Sequence, residues 1–147
     1  MNIYFSNEST RAEWRELGFY YDRDDIACAW LIIGSKEGVA NFSRILRSYA
    51  NIENDWISCH LNIGPYDYLE IGTWGGPVID NHWIAGRIDE ISDLANYISA
   101  LLINCKVGDV LSLRTYFSPD SPYDLQLVIK GSDFDPSSLD VNLLISQ

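Results

Sequence analysis

Cys59 and His60 stand side by side, and a thiol beside an imidazole is the pair that nucleophilic catalysis uses. In an extended chain, however, neighbouring side chains point to opposite faces, so these two cannot meet. His60 and His82 could each work as a general acid or base with a nearby carboxylate, which would make the protein a small hydrolase or lyase. The same histidines with Asp80 do not follow a zinc-ligand spacing. Asp22, Asp24 and Asp25 begin like a calcium loop but lack its glycine and closing glutamate. Gly72-Thr73-Trp74-Gly75-Gly76-Pro77 is glycine-rich, yet it has no Lys-Ser/Thr and no helix directly after it, so it is not a phosphate loop. The expectation is therefore no catalytic residue, no cofactor and no metal ion.

Acidic and aromatic side chains carry the stronger signal. The 147 residues include 21 Asp and Glu against 10 Lys and Arg, a formal net charge of −11, together with five Trp, nine Tyr and five Phe. Residues 1–47 are nearly neutral, with seven acids against six bases, whereas residues 48–147 hold fourteen acids and only Arg87, Lys106, Arg114 and Lys130. Such a charge repels phosphate and anionic lipid, which excludes nucleic acid and membrane surfaces as default partners and favours a basic one. A composition of 47% hydrophobic and 21% charged residues is that of a globular domain able to bury a core. Cys28, Cys59 and Cys105 lie in apolar runs without a CxxC pair, which reads as reduced core thiols in a cytoplasmic protein. The first residues do not resemble a signal peptide, and the longest uncharged run, Leu94–Cys105, is too short to span a bilayer.

The elements that must position these side chains follow from periodicity. Ile26–Ile33 reads as a central strand. After it, Val39, Phe42, Leu46 and Tyr49 form one stripe of a helix over residues 36–50, with Gly38 weakening its first turn. Trp56–Ile63 alternates, with Ile57, Cys59, Leu61 and Ile63 inward. Tyr66–Thr73 resumes the alternation with Leu69 and Ile71 inward, giving an antiparallel hairpin whose outer face shows aromatics, His60 and Glu70. A short extended piece includes Trp83-Ile84. A second helix starts at an Asp89 N-cap and buries Ile91, Leu94, Ala95, Ile98 and Leu102. Val110–Phe117 and Leu125–Lys130 read as the last strands, separated by the bend Ser118–Pro122. Ile3–Phe5 suggests an edge strand and Arg11–Leu17 a short helix. Together these predict a single α+β domain over residues 1–147. It would be a two-layer sandwich with a ferredoxin-like βαββαβ core and an extra C-terminal strand, its largely antiparallel sheet carrying two helices on one face.

Ile63-Gly64-Pro65-Tyr66, Tyr68-Leu69-Glu70-Ile71, Ile84-Ala85-Gly86-Arg87, Val107-Gly108-Asp109, Ser118-Pro119-Asp120-Ser121-Pro122-Tyr123 and Phe134-Asp135-Pro136-Ser137-Ser138 resemble segments of bacterial immunity proteins of polymorphic-toxin and contact-dependent growth inhibition systems. The resemblance covers roughly residues 56–138. It implies a small cytoplasmic inhibitor without enzymatic activity that binds one cognate toxin domain, a basic nuclease being the type case. Outward parity and loop position nominate Trp56, His60, Tyr68, Glu70, Tyr116, Asp120 and Asp124 as toxin-binding residues. The competing readings are the hydrolase or lyase built on His60 or His82, and a homo-oligomer that buries the aromatic face on itself. An inhibitor that keeps this face free is expected to be a monomer.

Overall fold

A computed structural model describes residues 3–51 and 56–145. The chain opens with α1 (Ile3–Leu17), so the expected edge strand at Ile3–Phe5 is instead the start of a helix that runs well beyond Arg11–Leu17. Gly18 at φ +89° ends α1 and turns the chain into β1 (Phe19–Asp24), a strand that the periodicity did not reveal. β1 is followed by β2 (Ala29–Ser35), α2 (Lys36–Asn51), β3 (His60–Ile63), β4 (Leu69–Thr73), β5 (Val78–Ile79) and β6 (Ile84–Gly86). Next come α3 (Ile88–Asn104), β7 (Val110–Ser112), α4 (Arg114–Phe117), β8 (Asp124–Lys130), a 3-10 turn at Pro136–Leu139 and α5 (Val141–Ile145).

The α+β class stands, but the strands divide between two four-stranded sheets instead of forming one. The first has the order β1-β2-β8-β7 and the second β3-β4-β6-β5. In each sheet the two inner strands run parallel and each outer strand is antiparallel to its neighbour. Both sheets are therefore mixed, and they share one topology. The second sheet is nested in the connection between the inner strands of the first. A ferredoxin-like pattern read from element order alone misses this, because order along the chain does not say which strands pair.

Several strand limits move for local reasons. The Asp24 carboxylate accepts from the N–H groups of Ile26 and Ala27, each at 3.0 Å, and Cys28 lies at φ +54°. This side-chain turn competes with extended structure. It leaves Ile26 wholly exposed and delays β2 to Ala29. Residues 56–58 form a bend and turn ahead of β3. Consequently Ile57 and Leu61 are exposed and only Ile63 of that alternation is buried. β3 is an edge strand, and Leu61 lines an open groove with Ile45 and Tyr49 of α2. Val110–Phe117 breaks after Ser112 into α4, while Leu113 and Phe117 still reach the core. Asp89 sits inside the first turn of α3 and Arg87 is the N-cap, its N–H donating to Glu90 Oε1 at 2.8 Å. Of the three thiols, Cys105 is buried, and Cys28 and Cys59 are half-buried.

The helical stripes are as the periodicity requires. Val39, Phe42, Leu46 and Tyr49 of α2, and Ile91, Leu94, Ala95, Ile98 and Leu102 of α3, are all buried. They share a core with Phe19, Trp30, Ile32, Leu125, Leu127 and Ile129 from the first sheet and Leu69, Ile71, Ile79 and Ile84 from the second. Each such side chain contributes about 1.5–3 kcal/mol by leaving water.

Gly38 has a steric reason to sit in a helix. A Cβ there would lie 1.9 Å from the Gly18 carbonyl oxygen. Gly38→Ala gains about 1 kcal/mol of helix propensity, yet it forces two backbone segments apart, and neither can rotate away. We expect a net destabilisation of about 2–3 kcal/mol, read as a lowered midpoint in denaturant unfolding. A raised midpoint would show that the two segments are not in contact.

Candidate functional site

The outer face of the second sheet is set by its register. His60 pairs with Gly72 and Asn62 with Glu70, and opposed residues share a face. This places His60, Asn62 and Glu70 together on the side opposite the buried Leu69 and Ile71. Trp83 lies flat over Gly72, where an added Cβ would come within 2.2 Å of its ring. Only glycine leaves that space. Trp74 packs edge-on to Trp83 with centroids 5.6 Å apart, and the His82 ring is 5.5 Å from Trp83. His82 Nε2 lies 3.1 Å from Glu70 Oε2, and Asn62 Nδ2 donates to Glu70 Oε1 at 3.3 Å. The Asp80 carboxylate holds this corner from behind by accepting from the N–H groups of His82 and Trp83.

The sequence-derived residues divide over the surface. Trp56, 76% exposed, stands in the turn leading into β3, where its carbonyl accepts from the Cys59 N–H and the Ser58 N–H donates to the Thr73 carbonyl. Tyr68, 71% exposed, precedes β4, with its ring 6.1 Å from that of Tyr66. Asp120 is exposed in a loop tied to β5, where Ser118 Oγ donates to the Pro77 carbonyl and the Ile79 N–H donates to Ser121 Oγ. Tyr116 is not part of this group. Its ring stacks on Tyr97 of α3 at 3.7 Å and 5°.

Asp124 is a correction. Its carboxylate is buried and accepts from Ser112 Oγ, Gln126 Nε2 and the N–H groups of Arg114 and Leu125. Burial pushes its pKa up, but these hydrogen bonds outweigh burial and leave it below the ordinary value. The group starts β8 and fixes the turn into α4, so it is not a free surface charge.

Sequence reasoning missed a second feature, an aromatic cleft of about 410 Å³ between β1, the 64–68 loop and the C-terminal segment. Trp14, Tyr21 and Trp30 are its buried lining, and Tyr20, Tyr66 and Tyr68 its more exposed lining. The Trp14 ring lies 4.8 Å from Tyr20, 5.2 Å from Tyr21 and 6.3 Å from Tyr66. The Tyr21 hydroxyl donates to the carbonyls of Ile63 and Pro65, the latter across a cis Gly64-Pro65 bond. Burial pushes the Tyr21 phenol up to about 12. Asp140 is 2% exposed and accepts from Trp14 Nε1 at 2.8 Å, the Tyr66 hydroxyl at 2.6 Å and the Asn142 N–H at 2.9 Å. Burial, then the bond to Asp140, raises Tyr66 to about 12, so it stays a donor at neutral pH. The only hint in the sequence was the aromatic content of residues 14–30, which lie some 110 to 126 positions from Asp140.

Comparison with protein-family models, with curated proteins and with solved structures finds no match for this chain. Among the described residues no group of three or more His, Cys, Asp or Glu is placed to hold a metal ion. None of their helices is long and apolar enough to cross a membrane.

Asp124→Ala leaves several donors without an acceptor. We expect it to cost about 2–3 kcal/mol, measured by chemical unfolding at neutral pH. Because the native pKa is depressed, this contribution is fully present above the ordinary value of 3.8 and is lost as pH falls below it. Wild type and variant should therefore converge in stability in acid. A constant difference down to acid unfolding would disprove the assignment.

Proposed function

We propose that the protein is an immunity-type inhibitor, a non-enzymatic partner that binds and neutralises a basic toxin domain such as a nuclease in the cytoplasm. The observation that carries this reading is the outer face of the second sheet. It presents Glu70, His60 and the exposed Trp74, with exposed Trp56 in the turn ahead of β3, exposed Tyr68 ahead of β4 and Asp120 in the loop tied to β5, in a chain of net charge −11. Exposed Trp and Tyr dominate binding hot spots. A surplus of acids steers a cationic protein into encounter and opposes nucleic acid. The resemblance to immunity proteins over residues 56–138 points the same way. Inhibition would be by occlusion, with carboxylates pairing with the toxin's Lys and Arg and aromatic anchors filling its cleft. An inhibitor that uses this face would be monomeric when free.

The test uses the protein encoded immediately upstream, titrated against this one. Trp56→Ala should weaken binding about 30-fold, the loss of one central aromatic anchor. Glu70→Lys with Asp120→Lys should slow association about tenfold at low salt, with the difference shrinking as salt rises. Unchanged affinity and rate in both variants would overturn the assignment of the face.

The Glu70–His82 pair favours a second reading, a small hydrolase or lyase with His82 as general base and Glu70 orienting it. His60 hydrogen-bonds the Ser58 carbonyl, and among the described residues it forms no ion pair with a carboxylate. A hydrolase screen with His82→Ala as control separates the readings: turnover abolished by that variant supports the enzyme, and a strictly stoichiometric effect supports the inhibitor.

A further inference from the structure

The cleft that holds Asp140 has an unbalanced charge. Its carboxylate is 2% exposed, and all three of its hydrogen-bond donors are neutral. Among the described residues no Lys, Arg or His forms an ion pair with it. Asp22, also in the lining, has no ion-pair partner among them either. Among the described residues the one cation in the lining, Arg23, is bound to Asp25 at 2.7 and 3.1 Å and to the Asn81 carbonyl at 2.7 Å. A buried carboxylate without a counter-charge is costly unless a cation joins it. The walls around it are aromatic, and ring faces attract cations, most strongly where water is excluded. Arg23 already shows the preference, with its guanidinium 5.8 Å from the Trp30 ring centre. The volume of about 410 Å³ falls at the lower end of ligand pockets, room for one side chain and not for a peptide.

We propose that this cleft receives one organic cation, the guanidinium or ammonium group of a basic side chain presented by a protein partner, against Asp140 and between the Tyr20, Tyr66 and Tyr68 rings. This rests on the reading of the protein as an inhibitor of a basic partner, and it gives that partner a specific anchor. The carboxylate sets the charge and the aromatic walls select a large, weakly hydrated cation over sodium or potassium. Arginine suits such walls better than lysine because its planar head stacks.

The test is a titration of the whole protein with N-acetyl-arginine amide, N-acetyl-lysine amide, choline and the neutral isostere N-acetyl-citrulline amide, followed by tryptophan fluorescence and calorimetry. Trp14 and Trp30 in the lining act as reporters. We expect saturable binding of the arginine probe, at least about tenfold weaker binding of citrulline, and loss of that preference in Asp140→Asn. Tyr68→Ala removes a side chain that is 71% exposed and so keeps the fold. It should weaken the arginine probe at least about threefold, which keeps the test valid if Asp140→Asn unfolds. Equal binding of arginine and citrulline probes, or no binding up to about 10 mM, overturns the proposal. Choline binding about tenfold tighter than both amino-acid probes overturns the side-chain assignment in favour of a free quaternary ammonium compound. If the upstream protein binds wild type and Tyr68→Ala equally, the anchor fails while the inhibitor reading stands. If it does not bind while the arginine probe does, the inhibitor reading fails and the cation site stands.

Discussion

The parallel pairing of β2 with β8 is the interaction on which the rest of this fold depends. Seven residues on each side are in register, from Ala29 opposite Asp124 to Ser35 opposite Lys130, although the whole second sheet and the helices α2 and α3 lie between them in the chain. Closing so long a connection costs chain entropy that local turns cannot return. It is recovered by burial on the inner face, where Trp30, Ile32, Leu125, Leu127 and Ile129 meet the stripes of α2 and α3. Asp124 stands at the first rung of this pairing with its carboxylate consumed by the turn around it. That explains why an acid in the most acidic part of the chain is not available to a partner.

Besides the shared core, polar atoms of large side chains tie the second sheet to the first sheet and to α2. The Tyr21 hydroxyl reaches the carbonyls before β4. Trp30 Nε1 donates to the Asp80 carbonyl at 2.8 Å. The Tyr49 hydroxyl donates to the Cys59 carbonyl at 2.9 Å and lies 2.7 Å from Thr73 Oγ1. Each group combines a large buried area with a hydrogen bond that would be costly to leave unmade. This use of Tyr and Trp accounts for much of the aromatic content that an all-exposed reading would assign to binding. Of the remaining aromatics, Phe19, Phe42 and Phe117 are buried, and Tyr116 stacks on Tyr97. Two further sets are the outer sheet face around Trp83 and the cleft over Asp140, with Tyr68 preceding β4 and lining the cleft.

Electrostatics and shape then act at different ranges. Under the proposed function, the overall negative charge would bias encounter with a basic partner over roughly a Debye length, about 8 Å at physiological salt. Under the same function, discrimination among basic partners would fall to groups that act only on contact, namely exposed Trp56 and Tyr68 and the buried Asp140 carboxylate. Asp25 and Asp89 do not add to the contact set, because Arg23 and Arg87 hold their pKa values below the ordinary range and take up their charge within the protein.

Period alone determined α2 and α3 with their buried faces, the β4 alternation of Leu69 and Ile71, the core face of β8, and the placing of His60 and Glu70 on one outer face. Each depends on contacts within one element or one hairpin, which spacing encodes. Composition alone also determined the acid excess and its concentration after residue 47. Only the tertiary structure decided that the strands form two nested sheets, that Ile26–Cys28 turns instead of extending, that Asp124 is buried, and that Asp140 meets Trp14 and Tyr66. Those outcomes rest on partners many residues away, or on a carboxylate choosing between backbone and solvent. Neither leaves a periodic trace in the chain.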